Sequence, residues 1–173
     1  MTNKFNTIIK NNDFEKIGDL TVIQRKNFLA ESICSHDLMG LTFAHLTFLN
    51  CNFIDIDFRY TSFISCDFTN CNFTETLFLK SSLDNCRFKN CKLFQSDLTR
   101  ADFMENNFIN CQFDSVNMAG AVFTRCELIQ PKFHKVRFLD SVTLSESKIW
   151  NSKKCIEVDT FDNVSKIVDD LKD

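Results

Sequence analysis

The sequence lacks the short motifs and long apolar runs that indicate many common activities. With only three Gly residues, it has no Gly-rich phosphate loop, no His-Glu-x-x-His metal motif and no Gly-x-Ser-x-Gly nucleophile elbow. No stretch reaches the roughly 18 apolar residues of a membrane helix, and residues 1–10 lack the basic start and apolar run of a secretory signal. We therefore expect a non-enzymatic protein with no membrane segment and no cofactor, located in the cytoplasm.

The nine Cys residues contain no Cys-x-x-Cys pair. Their spacings match no zinc-finger or iron–sulfur pattern, and a disulfide framework is not expected in a chain without an export signal. The formal net charge of −3, from 23 acidic and 20 basic residues, gives no general reason to bind nucleic acid directly. We therefore predict no metal site, and we expect the partner to be a protein.

What the sequence has instead is an apolar residue at every fifth position. The series runs unbroken through 22 positions, 15 of them Phe: Ile33, Leu38, Phe43, Phe48, Phe53, Phe58, Phe63, Phe68, Phe73, Phe78, Leu83, Phe88, Leu93, Leu98, Phe103, Phe108, Phe113, Met118, Phe123, Leu128, Phe133 and Phe138. A period of five fits neither a helix nor a flat strand. Each five-residue unit must therefore end in a change of direction.

A small residue stands two places before most of these apolar positions, and seven of the nine Cys residues fall in that slot. Residues two apart lie on the same side of an extended segment, so both point inward and the small one leaves room for the large one. Because Asn-Cys recurs every twenty residues, from Asn50 to Asn110, four units make one turn. Successive turns then stack as parallel strands about 4.8 Å apart.

Units such as Cys-Asn-Phe-Ile-Asp (51–55), Cys-Asp-Phe-Thr-Asn (66–70) and Cys-Asn-Phe-Thr-Glu (71–75) resemble those of the pentapeptide-repeat family. The resemblance covers about residues 28–140. It implies an all-β solenoid, a right-handed quadrilateral parallel β-helix with a packed, ligand-free interior, and the number of units gives five to six turns. Residues 1–27 are then expected to cap its start, and residues 28–145 to form the β-helix.

The last segment, residues 146–173, is expected to contain a C-terminal α-helix that caps the rod or joins two rods. Its apolar residues lie at helical spacing, and Asp159 or Thr160 is placed to cap the helix start: Phe161, Val164, Ile167, Val168 and Leu171. In some members that this chain resembles, a helix after the last turn forms a two-fold dimer contact. The resemblance therefore implies a homodimer through these residues as one possibility, and a helix folded over its own rod as the other.

Two functions follow from these expectations, and a third has family precedent. The first is a rigid protein–protein interaction scaffold. The second comes from the resemblance alone, because Cys- and Phe-rich members include bacterial proteins that protect DNA gyrase from quinolones or peptide toxins by imitating duplex DNA. Such a protein acts as a DNA mimic that protects or inhibits gyrase and confers antibiotic resistance. A secreted bacterial effector is the third.

The candidate partner-binding residues come from charges and aromatic residues placed on the expected turns. Residues 31–78 carry six acids and one base, and a turn of twenty places five acids in two adjoining columns that we call the acidic stripe: Asp37, Asp57 and Asp97, then Asp55 and Glu75. All five are expected to face water. Tyr60 and Phe94 are candidate aromatic contacts. A solvated surface of mixed charge is the alternative interpretation.

Overall fold

The computed structural model describes residues 4–11, 13–137, 141–158 and 162–163. These residues form a β-solenoid of about six coils, built mostly from strands of three residues, with one short helix. The elements are α1 (Lys4–Lys10), β1 (Glu15–Ile17), β2 (Leu20–Gln24), β3 (Asn27–Leu29), β4 (Ser32–Cys34), β5 (Thr42–Ala44), β6 (Thr47–Leu49), β7 (Asn52–Ile54), β8 (Ser62–Ile64), β9 (Asp67–Thr69), β10 (Asn72–Thr74), β11 (Ser82–Asp84), β12 (Arg87–Lys89), β13 (Lys92–Phe94), β14 (Asp102–Met104), β15 (Asn107–Ile109), β16 (Gln112–Asp114), β17 (Val122–Thr124), β18 (Glu127–Ile129), β19 (Lys132–His134), β20 (Thr143–Ser145), β21 (Ser147–Trp150), β22 (Cys155–Val158) and β23 (Asp162–Asn163).

The strands of successive coils stack into three sheets, and single residues of successive coils stack into a fourth column. The first sheet has the order β1-β2-β5-β8-β11-β14-β17-β20-β23, the second β22-β21-β18-β15-β12-β9-β6-β3, and the third β19-β16-β13-β10-β7-β4. The fourth, which we call the bridge column, consists of single parallel bridges that join residues twenty apart: Asp37, Asp57, Leu77, Asp97, Asn117 and Arg137. The pairing of Phe53 with Phe73 and of Phe73 with Leu93 confirms the predicted turn of twenty residues.

The change of direction predicted for each five-residue unit occurs at a left-handed residue. Nearly every fifth residue from Arg25 onward has φ between 48° and 58°, or is a Gly with positive φ. Non-Gly residues adopt this conformation at some cost, and Asn tolerates it well. At one corner, the side-chain amides of Asn50, Asn70, Asn90 and Asn110 form a hydrogen-bonded ladder with N···O distances of 3.0–3.2 Å.

The interior is a column of stacked apolar side chains, as the sequence predicts. The central residues from Ile33 to Leu128 are buried, and the rings of Phe53 and Phe73 stack with centroids 4.7 Å apart and planes 4° from parallel. Phe133 is only partly buried, and Phe138 lies outside the described residues. Burial of a Leu or Phe side chain contributes about 1.5–3 kcal/mol, so this column is the main source of stability.

The N-terminal end is closed by α1 and by an antiparallel strand. Phe5 of α1 is fully buried, with its ring centroid 5.1 Å from that of Phe28. The carboxylate of Glu31 accepts hydrogen bonds from the backbone N–H of Phe5 at 2.7 Å and of Lys4 at 3.2 Å. Strand β2 already stacks in solenoid register, because Ile23 pairs with Phe43. The coils therefore begin before residue 28.

The C-terminal end begins with a register shift of one residue. Phe123 pairs with Leu144 and Leu128 with Ile149, which explains why these apolar residues come one place late in the five-residue period. The solenoid therefore continues past residue 145. The chain then reverses, and β22 and β23 pair antiparallel with β21 and β20.

The segment 146–173 therefore contains strands where a helix was the main expectation. The apolar residues of that helix lie outside the described part of the chain, so the helix and the dimer contact stay predictions: Phe161, Val164, Ile167, Val168 and Leu171. The helix that the structure describes is at the other end of the molecule. No helix among the described residues is long and apolar enough to cross a membrane.

Candidate interaction surface

The structure brings the predicted acidic residues into two neighbouring columns, with an interruption. Asp37 and Asp57 are adjacent in the bridge column, but Leu77 separates Asp57 from Asp97. Asp55 and Glu75 occupy successive positions at the corner that leads into this column, where both are exposed. The acidic stripe is therefore discontinuous in the bridge column and continuous for two coils at the corner.

The bridge-column carboxylates do not simply face water. Oδ1 of Asp37, Asp57 and Asp97 accepts a hydrogen bond from the backbone N–H two residues later, at 3.1, 3.0 and 2.9 Å. This is the local bond by which Asp closes a turn. Asp37 is exposed, as expected, whereas Asp57 and Asp97 are only partly exposed, and each of the three side chains also holds the turn that follows it.

Asp57 is also neutralised by an ion pair. Nη2 of Arg59 lies 2.6 Å from Oδ2 of Asp57, and the Asp57 side chain is only 18% exposed. The hydrogen bonds from Arg59 hold the pKa of Asp57 below its usual value. A partner that approaches this coil therefore meets a salt bridge and not a free carboxylate. Asp55, by contrast, accepts only a hydrogen bond of 3.1 Å from the Ser35 hydroxyl among its described contacts.

The two aromatic candidates lie on different sides of the bridge column. Tyr60 is 52% exposed at the corner between the bridge column and the first sheet, and Phe94 is 41% exposed on β13 of the third sheet. Tyr60 is covered on one side by Lys80, whose Nζ lies 5.7 Å from the ring centroid. Tyr60 and Phe94 therefore do not form one contact patch.

Beside Tyr60, the structure reveals a groove that sequence reasoning missed. It has a volume of about 630 Å³ and runs over four coils, and we call it the corner groove: Tyr60, Leu79, Lys80, Thr99, Arg100, Ala119, Gly120 and Ser141. Tyr60, Lys80, Arg100 and Gly120 are twenty residues apart, so the sequence period could have shown that these four residues of the groove share one column. The twenty-residue coil places Lys80 and Arg100 in one column but does not indicate the concave shape.

The inward cysteines are packing residues in the described structure. Seven are buried, whereas Cys34 is exposed and Cys155 partly exposed. Burial raises the pKa of Cys126 to about 12, so its thiol stays protonated at neutral pH. Among the described residues, no group of three or more His, Cys, Asp or Glu side chains is arranged to hold a metal ion.

Comparison with solved structures finds pentapeptide-repeat proteins at low sequence identity. A trypsin-treated form of QnrB1, a plasmid-mediated fluoroquinolone resistance protein, is 18% identical with a TM-score of 0.45, over 66% of this chain and 81% of QnrB1. A pentapeptide repeat protein from the thylakoid lumen of Arabidopsis thaliana is 18% identical with a TM-score of 0.33, over 68% of this chain and 64% of its own. HetL, involved in heterocyst differentiation regulation in the cyanobacterium Nostoc sp. strain PCC 7120, is 10% identical with a TM-score of 0.29, over 85% of this chain and 97% of HetL.

Comparison with curated protein sequences finds no significant match. Two family profiles match the sequence, one described as a pentapeptide repeat region over residues 61–138 and one as pentapeptide repeats in eight copies over residues 37–75. Together they span residues 37–138, more than half of the 173 residues. The twenty-residue coil, the inward Phe column and these matches agree, and the chain belongs to the pentapeptide-repeat family.

Proposed function

We propose that this protein is a non-enzymatic scaffold that binds a protein partner through the bridge column and its corners. One observation supports this: three large apolar side chains are exposed on successive coils of this strip, with Met39 48%, Tyr60 52% and Leu77 38% exposed. Apolar side chains that cluster within a polar rim are typical of protein-binding surfaces. The coils that carry these side chains are stacked at a fixed spacing of about 4.8 Å.

Two structural details belong to this proposal. We take the coil to be right-handed and quadrilateral, as the family resemblance implies, so that the bridge column forms one of four sides. We also place the protein in the cytoplasm, since its nine cysteines are free thiols and a reducing compartment keeps thiols in that state. A two-fold association through Phe161, Val164, Ile167, Val168 and Leu171 is a separate proposal, which sedimentation of the full chain tests.

The scaffold function is tested by site-specific photo-crosslinking. A photoreactive amino acid replaces Tyr60 or Leu77, and the matched control carries it at Lys89, an exposed residue on the second sheet. We expect the same host protein in adducts from positions 60 and 77 and not from 89, and the purified partner should then bind the wild-type chain. Adducts that are absent, or equal from all three positions, contradict the scaffold proposal.

The alternative function, protection or inhibition of DNA gyrase by imitation of DNA, receives less support from the geometry. A DNA mimic needs a dense row of free carboxylates, because duplex DNA carries one charge per about 1.7 Å of axis. Leu77 interrupts the bridge-column acids, and Asp57 is paired with Arg59. The exposed acids Asp37, Asp55 and Glu75 favour this alternative.

A supercoiling assay with purified DNA gyrase, with and without a fluoroquinolone, separates the two functions. A scaffold for another partner leaves gyrase activity and its drug sensitivity unchanged. A DNA mimic changes one of them, and its effect weakens as salt rises. No feature of the described residues favours the third possibility, a secreted effector.

A further inference from the structure

The corner groove combines a row of cations with an apolar floor. Tyr60, Lys80 and Arg100 occupy the same corner position on three successive coils, so their backbones are about 4.8 Å apart along the rod. Leu79 and Ala119 lie on the floor beside them. The groove therefore offers positive charge along one edge and an apolar surface next to it.

The groove is open because the coil after Arg100 has two small residues. Ala119 and Gly120 follow Thr99 and Arg100 in the stack, and Gly120 has φ of +65°. The Gly120 N–H is satisfied by Ser141, at 3.0 Å from its Oγ. A side chain at position 120 would begin 3.5 Å from Cγ of Arg100 and would fill the space above it.

The two cations of the groove have no acidic partner among the described residues. Neither Lys80 nor Arg100 forms an ion pair there, whereas Arg59 is held by Asp57. The one described charge interaction of Lys80 is with the ring of Tyr60. Both cations are exposed at their corners, where a carboxylate can reach them.

We propose that the corner groove binds an extended acidic segment of the partner protein. Two carboxylates of the segment contact Lys80 and Arg100, and an apolar side chain between them packs on Leu79 and Ala119 against Tyr60. This inference rests on the proposed scaffold function and adds to it the place and the chemistry of recognition. The charge of the groove selects acidic residues, and its apolar floor selects a peptide over a small inorganic anion.

The surrounding charges disfavour a long polyanion in the same groove. Asp97 stands in the adjoining bridge column, and the chain carries a formal net charge of −3. Nucleic acid carries a charge at every phosphate and would meet the Asp97 carboxylate beyond the two cations. A short segment with two carboxylates avoids that repulsion.

The test measures fluorescence anisotropy of a labelled Asp-Leu-Glu-Leu-Asp peptide and of its amide counterpart, Asn-Leu-Gln-Leu-Asn. We expect the acidic peptide to bind about tenfold more tightly, with affinity that falls between 20 mM and 200 mM salt because exposed ion pairs are screened. A labelled DNA duplex of twelve base pairs should bind more weakly than the acidic peptide. Equal binding of both peptides, or tighter binding of the duplex, overturns the proposal.

Matched charge variants locate the site. Lys80→Gln with Arg100→Gln should weaken binding of the acidic peptide about tenfold, and Ala119→Phe should weaken it severalfold by filling the groove without a change of charge. The control, Lys89→Gln with Lys92→Gln, removes the same charge from the second and third sheets and should change affinity less than twofold. Equal losses in both double variants contradict a groove site, provided that their unfolding midpoints match the wild type.

The crosslinking experiment distinguishes failure of this inference from failure of the scaffold. Suppose that the photoreactive residues at positions 60 and 77 capture one partner. If the double variant Lys80→Gln with Arg100→Gln then binds that purified partner as tightly as the wild type does, the groove inference is wrong and the scaffold function stands. If the partner binds and the double variant loses about tenfold in affinity, both are supported.

Discussion

At the scale of single residues, many residues of the inward slot combine a small volume with a polar group, although Ala101, Val116 and Ala121 fill it without one. Sγ of Cys86 donates to the carbonyl of Phe63, with S···O of 3.6 Å, and accepts the N–H of Cys66 at 3.4 Å. Ser96 makes the equivalent pair of bonds with Phe73 and Thr76. The residue in this slot therefore satisfies backbone groups of the coil below. This explains why Cys, Ser, Thr and Asn share the slot.

Asn106, which interrupts the second cysteine column, makes the shortest pair of these bonds. Its Nδ2 donates to the Leu83 carbonyl at 2.8 Å, and its Oδ1 accepts the N–H of Cys86 at 2.7 Å. We predict that Asn106→Ala lowers the free energy of unfolding by about 2–5 kcal/mol, because two buried backbone groups lose their partners. Urea unfolding of the variant and the wild type measures this loss of free energy. Asn106→Cys restores the ordinary slot residue, and we expect it to lower the free energy of unfolding by about half as much as Asn106→Ala. An equal loss in both variants would mean that a thiol at this position does not satisfy the two backbone groups.

The Phe column makes a second prediction at this scale. Phe73 is 1% exposed and stacks on Phe53, whereas Thr74 is only half-buried. Phe73→Ala should lower the free energy of unfolding by about 3–5 kcal/mol, as for a large-to-small change in a packed core. Thr74→Ala should cost less than about 1 kcal/mol. Similar small losses from both variants in urea unfolding would contradict the inward register.

At the scale of elements, the two ends of the solenoid are closed by contacts that occur only once. Helix α1 has seven residues and is too short to be stable alone. Its position depends on Phe5, which packs against Phe28 and Phe48, and on the Glu31 carboxylate at its first N–H groups. At the other end, β22 covers the edge of β21. These caps protect strand edges that would otherwise pair with other chains.

We predict that Glu31→Ala releases α1. The variant loses the acceptor for the Lys4 and Phe5 N–H groups, and we expect a loss of about 1–2 kcal/mol, as for other capping side chains. Hydrogen exchange should become faster in residues 4–10 while β9 to β18 stay protected. Glu31→Gln keeps one side-chain acceptor and serves as the control with a smaller effect. Unchanged exchange in α1 would show that Phe5 alone holds the helix.

How much the sequence predicts differs between the repeat and its ends for a physical reason. Each coil of twenty residues makes the same contacts as its neighbours, so the inward positions of residues such as Phe53 and Phe73 recur in the sequence at a fixed period. The packing of Phe5 on Phe28 and the one-residue shift at Leu144 each occur once, and no period reveals them. The acidic stripe was predicted from the column alone, which does not show that the Asp57 side chain turns to accept the backbone N–H of Arg59.

At the scale of the whole molecule, stacked rings connect the coils into one structure. In the second sheet, Phe28, Phe48, Phe68, Phe88 and Phe108 stack with centroid separations of 4.8–5.1 Å. Each coil contacts mainly its neighbours, as in other solenoids. This stack crosses every coil–coil interface from Phe28 to Phe108, whereas Leu83, Leu93 and Leu98 interrupt the ring stacks of the other columns, so we expect the second sheet to make these coils unfold together. A rigid rod of this kind suits a surface that must keep its side chains in register.

The buried thiol of Cys126 gives the molecule a predictable response to alkaline pH. The pKa of Cys126 rises from about 9.0 in the unfolded chain to about 12 in the fold because of burial. The stabilisation is complete below pH 9 and is lost as pH rises towards 12, because the unfolded state releases the proton first. We predict that wild type loses about 2 kcal/mol through this thiol between pH 8.5 and 10.5.

The matched variant Cys126→Ala isolates that contribution, since the two proteins differ in no other side chain. The variant is less stable than wild type at pH 8.5, and we expect the gap between the two free energies of unfolding to shrink by about 2 kcal/mol at pH 10.5. Urea titrations at the two pH values measure this difference. A gap independent of pH would mean that the Cys126 thiol ionises equally easily in the folded and unfolded chains, which contradicts its burial among the phenylalanine rings.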